Sequence, residues 1–279
     1  MLHDNNQTEK ALSILFPLAQ LVVSNSTIFD FMDISAREIK KFDGRSLPSG
    51  SGSEYTQYLE NLGHNGDTKA KIKILLAALS NRDYEKAIEI VGEDYKKIER
   101  ALMTAKTGEE KNLVDRKYGF YYSIFAMMKK YGIEIYQKEE KNKLHLNNEN
   151  NSLTIGNLFQ KALQIGDPIA YTEFARIYLQ RRSEEEKKIG KSLLLEAVNV
   201  SYVPAMHEYG VMLMNGHPPF RKDVETATKY FLECYTGNKY LPSMLSLAQL
   251  RYKNDPDEAY FLLKELIERS FLFKEAVNA

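Results

Sequence analysis

The chain has one cysteine, Cys234, in 279 residues. No intrachain disulfide can form, which fits a reducing compartment. A catalytic thiol needs a paired base, and nothing in the pattern brings His207 to Cys234, so the cysteine reads as a small core residue. Neither sign of charge is in excess, with 38 Lys plus Arg against 38 Asp plus Glu. That balance argues against the broad basic footprint of a nucleic-acid-binding protein. No run reaches the roughly 18 apolar residues that a membrane helix needs. The apolar stretch Ala11 to Val23 follows Asp4 and Glu9, is interrupted by Pro17 and Gln20, and precedes no small-residue cleavage site. It is therefore not read as a signal peptide, and a cytoplasmic location is expected. Strand signals are missing too: there is no period-two alternation, and no tight Gly turn joins two β-rich runs.

Recognisable chemistry is equally scarce. The histidines are His3, His64, His145, His207 and His217, and no pair of them has metal-ligand spacing. There is no H-E-x-x-H helix, no G-x-x-x-x-G-K-S/T phosphate loop and no G-x-S-x-G nucleophile turn. No catalytic, cofactor-binding or metal-binding residue is assigned. The expectation is a non-enzymatic protein with no cofactor. His207 reads as a packing or surface residue. The runs Lys138 to Lys143 and Arg181 to Lys188 mix signs and read as solvated loops.

What the chain has is helix. Its 43% apolar and 27% charged residues are those of a globular protein. Residues 9–23 form an amphipathic helix with Thr8 as N-cap and Leu12, Leu15, Phe16 and Ala19 on one face. A second helix is expected over residues 28–42, then a Gly/Ser/Pro linker over 43–53. From Asp67 a stripe of Ala70, Ile74, Ala77 and Ala78 marks a helix. The turn at residues 81–83 leads through the N-cap Asp83 into Ala87, Ile88 and Val91. Residues 111–137 read as a long helix with a core stripe of Tyr118, Phe120, Tyr121, Tyr122, Phe125 and Tyr131. Residues 138–151 read as a polar loop. Leu153 to Ile165 reads as the second helix of a helix pair.

A pattern then repeats. Small residues at Ala170, Ala205 and Ser243 stand 35 and 38 residues apart, and each is followed five positions on by Ala175, Gly210 or Ala248. Later in each unit an acidic residue precedes a small one by four: Glu186 and Gly190, Asp223 and Ala227, Asp255 and Ala259. A second apolar helix closes each unit. Self-similarity at such a period marks a solenoid, and a solenoid presents an extended binding surface. Residues 67–95 carry a fainter copy. The small residues let paired helices approach, Gly216 lets the chain turn, and Asp223 caps the second helix.

The middle unit carries Ala205, Tyr209, Gly210, Leu213 and Gly216, then Asp223 and Ala227, then Tyr230 and Phe231. In this it resembles the Sel-like repeat family, relatives of tetratricopeptide repeats. The flanking units depart from the pattern. The first lacks the turn glycine between Gln180 and Lys188, and the third has Arg251 at an apolar position. The resemblance implies an all-α fold, an α-α superhelix, meaning a right-handed solenoid of antiparallel helix pairs. The expected division is an N-terminal helical segment at 1–60, a degenerate repeat region at 61–150 and the repeat solenoid at 151–279. In that family the first helix of each unit lines the concave face. That places Glu173, Arg176, Gln180, Glu208, Val211, Asn215, Ser246, Gln249 and Lys253 against a partner protein. The family implies a bacterial scaffold: an adaptor, a toxin-neutralising immunity protein or a secreted host-interacting effector. An enzyme with a catalytic N-terminal half and a repeat substrate arm is the alternative of another class. No nucleic-acid or membrane partner is expected. Leu266, Ile267, Phe271, Leu272 and Phe273 either cap the last unit or dock on a twin, so the chain is expected to be a monomer or homodimer.

Overall fold

A computed structural model describes residues 5–25, 57, 61, 68–80, 82–133 and 154–278. The expected helix over 28–42, the linker at 43–53 and the loop at 138–151 lie outside the described residues. Eleven helices make up the architecture among those described: α1 Asn5–Asn25, α2 Thr68–Ser80, α3 Tyr84–Thr104, α4 Gly108–Lys130, α5 Ile155–Gln164, α6 Pro168–Leu179, α7 Glu184–Asn199, α8 Val203–Asn215, α9 Val224–Asn238, α10 Leu241–Arg251 and α11 Pro256–Asn278. The described residues include no strand, and none of their helices is long and apolar enough to cross a membrane.

From α2 onward, each helix packs chiefly on its neighbours in the chain. The partners pair as α2 with α3, α4 with α5, α6 with α7, α8 with α9 and α10 with α11. The short connections within the repeats make those partners antiparallel. The first helices α6, α8 and α10 also touch one another and form one layer. A single apolar core runs through the array. This is the all-α helical repeat that the periodicity announces. One pair is less obvious from sequence: the aromatic α4 is the first helix of the unit whose second helix is α5.

Local chemistry explains the helix ends. Asp83 caps α3 by accepting from the Lys86 amide at 3.1 Å. Thr107 and Glu110 form a capping box that starts α4 at Gly108, earlier than expected. α4 ends at Lys130, not at residue 137, with Tyr131 as its C-cap, and Tyr131 is 53% exposed and not core. Tyr121, Tyr122 and Phe125 of the expected stripe are buried, and Tyr118 is half-buried. In α2 the stripe runs through Ala70, Ile74 and Ala78, while Ala77 faces outward. The turn before α7 is only residues 180–183. Ser183 starts the helix there, so Glu186 sits inside the first turn and not at the cap. Asp223 and Asp255 do cap, accepting from the amides of Thr226 and Glu258, each at 3.0 Å. Arg251, odd in the repeat pattern, reaches over its turn to Glu258 at 2.8 Å.

Thr8 is not a cap. α1 begins at Asn5, and the Thr8 hydroxyl donates to Asp257 Oδ1 at 3.4 Å. α1 lies against α11 and α10, at the far end of the chain. Leu12 and Ala19 are wholly buried, and Phe16 meets Tyr252 edge-on at 5.3 Å. The first helix therefore covers the last repeat, where Leu266 and Ile267 are also buried. The side chains of Phe271, Leu272 and Phe273 lie outside the described ones.

The close approach of α8 and α9 shows why the repeat keeps a glycine. A Cβ on Gly210 would stand 2.6 Å from a ring carbon of Phe231, which is fully buried. Gly210→Ala is expected to lose about 1–2 kcal/mol, an overpacking cost partly offset by the better helix propensity of alanine. Gly92, inside α3, has nothing within 4 Å of a Cβ. Gly92→Ala should therefore gain up to about 1 kcal/mol. Urea denaturation of the two variants checks both, and equal effects would show that the ring yields freely.

Candidate functional site

The three repeat units enter their first helices in the same way. Gly166, Ser201 and Lys239 adopt left-handed backbone with φ of 81°, 58° and 53°. Each is followed by the N-cap residue, Asp167, Tyr202 or Tyr240, and by a proline in the first turn. Asp167 accepts from the Ile169 amide at 2.8 Å. Tyr202 and Tyr240 make no side-chain cap bond; their rings are buried instead. Alignment of these turns brings one end of the first-helix layer together as a wall.

On that wall lies a concavity of 180 Å³. Ile169, Thr172, Glu173 and Arg176 come from α6. Pro204, His207 and Glu208 come from α8, Pro242 from α10, and Met127 from α4. Tyr202 and Tyr240 close it from the turns. A more open depression of 610 Å³ adjoins it, sharing Arg176, His207 and Glu208 and adding Gln180, Lys187, Val211 and His217.

A line of alternating charges ties three helices across this floor. Lys130 at the end of α4 bonds Glu173 Oε2 at 2.5 Å. Glu173 Oε1 accepts from Arg176 on its own helix, and Arg176 donates through Nε to Glu208 Oε1 on α8. Desolvation disfavours the arginine's charge, but Glu208 and Glu173 outweigh it and raise its pKa. Burial pushes the Glu208 carboxyl above its usual range, although Arg176 pulls the other way. Asp167 is pushed to about 6 by desolvation, against the hydrogen bond from the Ile169 amide. Two cations and two carboxylates thus cancel in a low-dielectric setting.

His207 is the polar centre of both concavities. Its Nδ1 lies 3.0 Å from Ser243 Oγ, and its ring lies 5.4 Å from both Phe231 and Tyr240. Burial, helped by the Arg176 charge, lowers its pKa to about 4, so it is neutral at pH 7. The Cys234 thiol, on the neighbouring α9, donates to the Val203 carbonyl at 3.7 Å. Burial raises the thiol to about 12, and Cys234 is wholly buried. It is a core residue, as its position in the second helix implies.

Of the nine residues placed on the concave face by sequence, Glu173, Arg176, Gln180, Glu208 and Val211 line the two depressions. Asn215, Gln249 and Lys253 are exposed but do not line them, and Ser246 is 93% enclosed. Sequence reasoning missed Lys130, Tyr202 and Tyr240 and took His207 as a packing or surface residue. A signal for the tyrosines was present: Tyr202-Val-Pro-Ala-Met206 returns as Tyr240-Leu-Pro-Ser-Met244. Lys130 had none, because the long segment after it hides that α4 belongs to the array. No family model, curated protein or solved structure matches this chain.

Proposed function

We propose that the protein is a non-enzymatic repeat scaffold that binds a partner protein on the face of its first helices. The observation that carries this reading is the pair of joined depressions built from three successive first helices around Arg176 and Glu208. Their charged groups are engaged with one another and their histidine is neutral, which suits recognition better than proton transfer. The reading agrees with the Sel-like resemblance of the middle unit and with a cytoplasmic bacterial adaptor or immunity protein. In such roles the repeat packing builds the scaffold, and the side chains between the packing positions choose the partner.

The test is co-expression with the products of neighbouring genes, followed by size-exclusion chromatography. A stable complex is expected. Val211→Glu and Gln180→Arg, at the half-buried and exposed edges of the wider depression, should each weaken it about tenfold, the effect of roughly 1.4 kcal/mol. A complex indifferent to both substitutions, or no complex with any protein of the source, would sink the reading.

A further inference from the structure

The smaller concavity has a chemical preference that its wall residues define. Arg176 uses Nε, Nη1 and Nη2 on the two flanking carboxylates, so an incoming anion finds its guanidinium engaged and two negative groups beside it. Glu208 is the opposite case. Both contacts from Arg176 fall on its Oε1, and its Oε2 has no hydrogen-bond partner among the described residues. The carboxylate lies largely out of water, with 19% of its side chain exposed, and lines both depressions. An accessible carboxylate oxygen that no protein donor occupies can take a charge-assisted donor from an incoming group. Tyr202 and Tyr240 also line the concavity, and an aromatic residue beside a carboxylate suits a cation. The second nitrogen of His207 is likewise without a partner among the described residues, and the ring carries no charge that would repel a cation.

We propose that this concavity is the anchor pocket for one basic side chain, arginine or lysine, of the partner protein, held by Glu208 Oε2 between Tyr202 and Tyr240. The assignment rests on the scaffold reading and names the chemistry of the partner at its centre. A space of 180 Å³ suits a single side chain. One buried charged anchor ringed by weaker contacts is the pattern of an interface hot spot.

The probes are N-acetyl-arginine amide, N-acetyl-lysine amide, N-acetyl-leucine amide and N-acetyl-glutamate amide, titrated into the full chain while the His207 ring signals are followed by NMR. The basic amides should shift those signals and saturate with a Kd of about 1 mM, and the leucine and glutamate amides should not. Glu208→Gln, which keeps the side-chain shape, should weaken the basic amides about tenfold or more. If that variant loses its helical circular dichroism, the ranking of the four amides on the native protein still decides. Leucine or glutamate amide binding as tightly as arginine amide, or no shift at His207 with any of them, overturns the pocket. Failure of the amides alongside an intact partner complex removes the pocket and leaves the scaffold. Binding of the basic amides in a chain that forms no complex does the reverse.

Discussion

Replacing Arg176 by methionine should destabilise the protein by about 2–3 kcal/mol at pH 7. Methionine keeps much of the stem but removes the charge that sits between Glu173 and Glu208. Breaking a buried ion pair from one side costs about 3–5 kcal/mol, because the partner is left charged and dry. The lower figure applies here because 33% of the arginine side chain still meets solvent, and Lys130 continues to serve Glu173. Glu208 is then the orphan. Its pKa is already raised by burial in the intact protein and rises further without Arg176. A folded carboxyl with a raised pKa binds a proton that the unfolded chain releases, so its charged form costs stability as pH rises. The deficit of Arg176→Met should therefore be larger at pH 8 than at pH 5. Adding Glu208→Gln should recover most of it. Urea denaturation of the single and double variants at both pH values measures this. A single variant as stable as the native protein would show that the charge line is ornamental to the fold.

Acid should remove about 3 kcal/mol of stability through His207 alone. The folded pKa is about 4 against an ordinary 6.5. Between those values the unfolded chain takes up a proton that the buried ring refuses. The stabilisation is whole above pH 6.5 and is lost as pH falls toward 4. A gap of about 2.5 units corresponds to about 3 kcal/mol. Asp167, pushed to about 6, acts in the opposite direction over an overlapping range, as does Glu208. The native protein should thus show a shallow pH profile. His207→Gln removes only the histidine's share. It should be less stable than the native protein at pH 7.5, and that deficit should shrink by about 3 kcal/mol at pH 4. Parallel profiles for the two proteins would show that the ring takes up its proton as easily folded as unfolded.

Much of the architecture could be read from the chain because it is local. Spacings of 35 and 38 residues, small residues at matched offsets and acidic caps each describe contacts within one helix pair. Those contacts appear as expected at Gly210 on Phe231 and at Asp223 on the Thr226 amide. Helix ends were less legible, since a cap is decided by one side chain and several can compete. Ser183, which the repeat pattern did not single out, caps α7, and Thr8 passed from cap to long-range donor. For the candidate site, the concave offsets located Glu173, Arg176 and Glu208. The residues that give the site its character come from the turns and from α4, where the repeat register is hidden.

Two facts needed the tertiary structure. One is that α1, with an apolar stripe plain in its sequence, covers α11 some 250 residues later; an amphipathic pattern states that a face will be buried and is silent about what buries it. The other is that Lys130, Glu173, Arg176 and Glu208 form one line, because only packing of α4, α6 and α8 side by side brings their charges within bonding distance. The sequence by itself determined a stack of helix pairs, since small residues at a fixed period force close packing between neighbours. Which polar groups meet inside that stack was decided by the geometry of the layers, where distance and desolvation set the energies.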